Sequence, residues 1–185
     1  MVRISPVPVD DMSDEQRRVH DKILDQLGIP VLRGPFAVLL HAPEICDKMS
    51  DFVIHFMSET RISQALKELA IITLARQYTA QYEWFIHAKQ ALAFGLDEAV
   101  VEAIRTNRRP NFSDPEQELI YDIVNEIAED RKLSDDHYAR AVTAFGAAAV
   151  VELIALIGFY HAVSVLLVSF QVDVPDIPGP APMTE

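Results

Sequence analysis

Residues 64–95 read QALKELAIITLARQYTAQYEWFIHAKQALAFG. Leu66, Leu69, Ala70, Ile71, Ile72, Leu74 and Ala75 make the first half of this stretch apolar on nearly every side of a 3.6-residue helix. A helix of that kind belongs inside a core, with other elements packed around it. Ser63 is a natural N-cap, predicting a helix to about Tyr78, and a second helix starts at Thr79 or Ala80 and stops at Gly95. Glu68 lies within the apolar run, where a carboxylate must find a hydrogen-bond partner or take up a proton. Glu83 and His87 stand four residues apart, on one face of the second helix. A carboxylate beside an imidazole fixes its tautomer and favours the imidazolium, raising its pKa. If the two helices form an antiparallel hairpin, Glu68 approaches His87, and the three groups can hold or move a proton in general acid–base catalysis. The plainer alternative is an exposed Glu–His pair, with Glu68 partnered by Arg76 or by nearby backbone.

The remaining segments also read as helices. Ser13 followed by Asp14, Glu15 and Gln16 opens a helix that Gly28 and Pro30 stop near Leu27. Residues 29–40, with two prolines, form a loop entering a short helix, and Pro43 opens the next, to about Met57. Asp97 caps a short helix to Arg105, and Ser113-Asp114-Pro115-Glu116 starts one running to about Arg131. Ser134 caps the next, Gly146 breaks it, and a long apolar helix follows. The chain is expected to be all-α, with seven to nine helices in one domain over 1–185. Its core spans about 30–175, and the proline-rich ends are extended.

Ala144 to Phe170 carries only Glu152, Tyr160 and His161 as ionisable groups, and by length it could span a bilayer. Glu152 and His161 would be costly in lipid, and acidic QVDVPD follows without a flanking Lys or Arg. The expectation is a buried helix whose excess apolar surface meets another subunit.

Composition narrows the function. The chain has 185 residues and a net charge of −12, which disfavours a nucleic-acid partner. Half the residues are hydrophobic, too many for a predominantly disordered chain. The single cysteine, Cys46, allows no internal disulfide, CxxC redox pair or cysteine zinc site. The start, MVRISPVPVDD, lacks a secretory apolar segment, so a reducing, cytoplasmic setting is expected. There is no phosphate-binding glycine loop, no GxSxG and no HExxH, and no metal site or cofactor is expected. His20, His55 and His137 lie among charged or exposed residues and read as surface histidines.

The string KELAIITLARQYTAQYEWFIHAKQALAFGL resembles the carboxymuconolactone decarboxylase family, within the superfamily of alkylhydroperoxidase D-like proteins. The peroxidase branch of that superfamily has a Glu, a CxxC beginning twelve residues on, and a His four residues after the second Cys. Glu68 and His87 match the Glu and the His, whereas Ala80 and Glu83 occupy the two cysteine positions. Thiol peroxidase chemistry is therefore disfavoured, and Glu83-Trp84 with His87 looks like the YEWxxH form of the decarboxylase branch. RGPFAVLLHAPE, FSDPEQELI and VELIALIGFYHAVSVLL resemble further family segments. The resemblance implies an alkylhydroperoxidase D-like helical bundle, a homotrimer or homohexamer, and a cofactor-independent lyase that removes CO2 from a small anionic lactone. In that reading His87 carries the proton, Glu83 orients it and Glu68 is a second acid–base group. Arg33 is the candidate fork for the substrate carboxylate, and an ordinary loop arginine is the equal alternative. Arg76 is expected to pair with Glu68, His41 to line the pocket, and Trp84 to stand in the core or the pocket wall. Tyr160 and His161 are adjacent, so only one of them can face a given pocket, and Glu152 reads as structural. An isomerase or dehydratase acting on another small carbonyl compound, and a non-catalytic homo-oligomeric binding protein, are the alternatives.

Overall fold

The computed structural model describes residues 2–58 and 60–184. Among these residues there are nine α-helices and no strand: α1 (Asp14–Leu27), α2 (Pro35–Leu39), α3 (Pro43–Met57), α4 (Gln64–Tyr78), α5 (Gln81–Ala93), α6 (Glu98–Arg105), α7 (Pro115–Asp130), α8 (Asp135–Phe145) and α9 (Ala147–Phe170). A 3₁₀ turn, Val9–Asp11, precedes them. The stops and starts follow local chemistry. Ser13 and Gln16 form a reciprocal capping box on α1, and Gly28 ends it in the left-handed conformation. Ser63, Asp97, Asp114 and Ser134 cap α4, α6, α7 and α8 with their side chains.

The centre of the molecule is α4. Its ten residues from Leu66 to Ala75 are all buried, and it packs against α5, α7 and α9 at once. A helix ringed by three others needs an apolar side toward each, which is why its sequence shows no polar face. The turn at Thr79, in the left-handed conformation at φ 50°, folds α5 back against α4. A second apolar cluster joins α1, α2 and α3 around Val19, Ile23, Phe36 and Cys46.

Segments near both ends of the chain are tied down. The Arg3 amide donates to the Phe170 carbonyl oxygen. Near the other end Gln81 exchanges hydrogen bonds with the backbone of Met183 at 3.1 and 3.0 Å, and Met183 is buried. The inner face of α9 is buried through Leu153, Leu156, Ile157, Tyr160, Val163 and Leu167. Its outer face leaves Val151, Ile154, Val165 and Val168 exposed.

Candidate active site

Glu68 comes from the middle of α4 and Glu83 and His87 from the first two turns of α5. The antiparallel hairpin closes them into a single group. The ring Nδ1 of His87 donates to Glu68 Oε2 at 2.7 Å, and Nε2 lies 3.0 Å from Glu83 Oε1 on its own helix. Glu68 is 5% exposed and Glu83 3%, so neither carboxylate is solvated well enough to stand alone. Burial by itself would lower the His87 pKa. The charges of Glu83 and Glu68 and the hydrogen bonds to them outweigh it and push the pKa up to about 10. His87 is therefore an imidazolium at neutral pH, a proton reservoir with an acceptor at each nitrogen rather than a free base.

The triad faces a cavity of about 510 Å³, within the usual range for a small-molecule site. Its walls repeat a helical spacing: Gln64, Lys67, Glu68 and Ile71 on α4; Glu83, Ile86, His87 and Gln90 on α5; Leu156, Phe159, Tyr160 and Val163 on α9. Residues of α2 and α3, the end of α1 and the loop between α1 and α2 also line it. Tyr160 is buried in that wall with its ring edge-on to His87, centroids 5.2 Å apart. Burial, together with the charges of Glu83 and Glu68, raises its pKa well above the ordinary phenol value, so the hydroxyl remains a donor.

The other anticipated positions divide. Arg33 lies on the cavity wall from the loop before α2, and it is exposed. His41 does not line the cavity: its Nε2 donates to the Ser5 carbonyl oxygen at 2.8 Å, because the N-terminal segment passes over the end of α2. Trp84, next to Glu83, points into the main apolar cluster on the far side of α5, and its indole N–H donates to the Ala181 carbonyl oxygen at 2.9 Å. It is a core residue and not a pocket wall. Arg76 is not the partner of Glu68. Eight residues along α4 it reaches the helix end instead, where it donates to the Thr184 carbonyl oxygen and to Thr79. Of the adjacent aromatic pair, Tyr160 takes the cavity, and His161 turns to the Tyr78 hydroxyl at 2.6 Å. Glu152 is bound by the backbone and guanidinium of Arg61 in the loop before α4, which makes it structural.

Lys67 and Tyr82 also line the cavity, and sequence reasoning missed both. A spacing signal was available for Lys67, which shares the α4 face of Gln64, Glu68 and Ile71. Tyr82 is locked in place by Gly34: a Cβ there would stand 2.3 Å from the tyrosine ring. Cys46 is buried in the second cluster with its Sγ toward the Phe36 carbonyl oxygen, and burial pushes its pKa to about 12. It is an inert thiol away from the cavity. Among the described residues there is no cluster of three potential metal ligands.

The chain is similar to an uncharacterized peroxidase-related protein from Silicibacter sp. TM1040, with a TM-score of 0.78, 12% identity, and coverage of 95% of this chain and 92% of that one. A second uncharacterized peroxidase-related protein, from Ralstonia eutropha JMP134 and described as an alkylhydroperoxidase AhpD core, gives 0.76, 12%, 95% and 93%. The debrominase Bmp8 in its apo form gives 0.70, 11%, 94% and 92%. The sequence matches no protein-family model and no curated protein. The protein thus has the alkylhydroperoxidase D-like all-α fold.

Proposed function

We propose that the protein is a cofactor-independent enzyme of the decarboxylase type, which removes CO2 from a small carboxylated lactone and protonates the carbon left behind. The observation that carries the reading is the ring of His87, held between the carboxylates of Glu68 and Glu83 and facing a cavity of substrate size. The likeness in fold to a protein named as a debrominase supports small-molecule chemistry on this scaffold. Glu83 and Ala80 in the two cysteine positions point to the branch without thiols.

The chemistry assigns roles. When the carbon–carbon bond breaks, its electron pair passes into the conjugated lactone carbonyl, and CO2 departs. Tyr160 donates a hydrogen bond to the oxygen on which that charge collects, an arrangement that typically contributes about 10²–10³ in rate. Both ring nitrogens of His87 are already engaged, so the proton reaches carbon through a carboxyl oxygen facing the cavity. Glu68, bonded at 2.7 Å from the neighbouring helix, is the exchange partner, and Glu83 holds the ring. Solvent then returns a proton to the triad. Arg33 at the exposed edge draws the anionic substrate in. The active form is a soluble, cytoplasmic homo-oligomer, a trimer or hexamer, in which a second copy covers the outer face of α9.

The test is incubation with carboxymuconolactone in D2O, following CO2 release and deuterium at the new C–H bond. Wild-type protein should release one CO2 per deuterium incorporated, and His87→Gln, Glu68→Gln and Tyr160→Phe should each lose about 10²-fold or more in turnover. Turnover that survives both His87→Gln and Glu68→Gln would overturn the proton route, and no CO2 from the wild type would overturn the reaction.

A further inference from the structure

Lys67 is 3% exposed and stands in the cavity wall one residue before Glu68. Its ammonium donates to the carbonyl oxygens of Phe56 at 2.8 Å and Ser58 at 3.0 Å, at the C-terminal end of α3. An ammonium has three N–H groups, so one is left over. Glu68 turns its carboxylate to His87, and Glu152 is taken by Arg61. Among the described residues, Lys67 has only backbone dipoles as partners. Burial outweighs the charges of Glu68 and Glu152, which reach Lys67 only through space. A buried cation with no hydrogen-bonded counter-charge among the described residues is expensive, and a methionine would fill the same volume without that penalty. The negative end of the α3 dipole compensates in part, but any cation reaching that end from solvent would serve as well.

We infer that Lys67 is the anion-binding residue of the cavity, receiving a carboxylate of a small and otherwise apolar substrate at the end of the cavity where α3 meets α4. The inference rests on the reading of the cavity as a substrate site and takes over the role that sequence alone gave to Arg33. A desolvated ammonium interacts more strongly with a carboxylate than an exposed guanidinium screened by water and salt. It also selects among carboxylates. An ammonium that held the departing carboxylate would stabilise the ground state and oppose CO2 loss. Lys67 therefore grips the carboxylate that the product keeps, and the departing one lies against the apolar wall.

The test is a binding measurement that needs no turnover. Benzoate and benzamide have nearly the same shape and differ in charge, and both can be titrated by NMR against wild type, Lys67→Met and Arg33→Gln. Wild type should prefer benzoate by about tenfold, the expected size for a charge-assisted hydrogen bond. Lys67→Met should bring the two ligands within about twofold, and Arg33→Gln should keep most of the preference. A lysine that only capped α3 would lower the melting temperature and leave the preference intact. That outcome overturns the inference, as does loss of the preference in Arg33→Gln or its absence in wild type. Should Lys67→Met fail to fold, a crystal of wild type with 4-bromobenzoate decides. Bromine fixes the orientation of the ring, and a carboxylate farther than about 3.5 Å from the Lys67 Nζ overturns the assignment. Failure of the acid–base reading would appear separately, as turnover that survives His87→Gln, with the benzoate preference unaffected.

Discussion

Replacing His87 by glutamine should leave two carboxylates facing one another in an apolar cavity with no cation between them. Glu68 and Glu83 are 5% and 3% exposed, and each loses its partner at 2.7 or 3.0 Å. Removing one member of a buried ionic group costs about 3–5 kcal/mol, because the remaining charge is uncompensated. One carboxylate can escape the penalty by keeping a proton, so the loss should depend on pH. In wild type the folded pKa of His87 is about 10, against about 6.5 when unfolded. Its stabilisation is fully present below about pH 6.5 and is lost as pH rises through about 10. From about pH 5 to 6.5 that contribution is flat. In the variant, the folded state holds one more proton than the unfolded chain in the same window, so stability falls by up to about 1.4 kcal/mol per pH unit. The deficit of His87→Gln should therefore be about 2 kcal/mol larger at pH 6.5 than at pH 5.0, reaching 3 kcal/mol or more (~3–5). Urea denaturation with an unchanged m-value measures it. A deficit below about 1 kcal/mol, or one that ignores pH, would mean that the three groups are solvated and that the triad is not a buried unit.

Titration of the His87 ring by NMR should show the imidazolium persisting through neutrality and deprotonating near pH 10. Turnover should survive to alkaline pH and fall on the same limb, whereas a midpoint near 6.5 would refute the double clamp. Cys46→Ser should leave turnover unchanged and lower stability by about 1 kcal/mol, since a buried hydroxyl replaces an inert thiol; thiol-dependent peroxide consumption lost with that change would contradict the assignment. Light scattering should give a homo-oligomer that Val165→Glu on the exposed face of α9 dissociates; a wild-type monomer would show that this face needs no partner.

Much of this was legible in the sequence because it is local. Caps at Ser13, Ser63, Asp97 and Ser134 act within one turn of their own helix, and the apolar surround of α4 states its central position directly. The Glu83–His87 pair followed from i,i+4 geometry, and the approach of Glu68 needed only the tight turn at Thr79. The errors come from long-range contacts that no local pattern encodes. The N-terminal segment claims His41 through Ser5, and the C-terminal segment claims Trp84 and Arg76 through Ala181 and Thr184. Both segments read as loose ends, and their backbone carbonyls are the acceptors. The spacing of α4 puts Lys67 on the face of Glu68, but its partners were not legible, since they are carbonyl oxygens at the end of α3 and not a side chain visible in the sequence.

Glu83 has a consequence beyond holding a ring. The two carboxylates of the triad face one imidazolium, and Lys67 and, at the exposed edge, Arg33 add two further cations to the cavity wall. Loss of CO2 moves negative charge onto a carbon facing the same cavity, and only a proton can quench it there. Decarboxylation consumes one proton for each CO2 released, and the triad stands where it can supply that proton. A thiol in place of Glu83 would leave the imidazole with a single carboxylate and a weaker hold on its proton. The glutamate makes His87 a proton store that remains charged through neutrality, where the substrate is an anion.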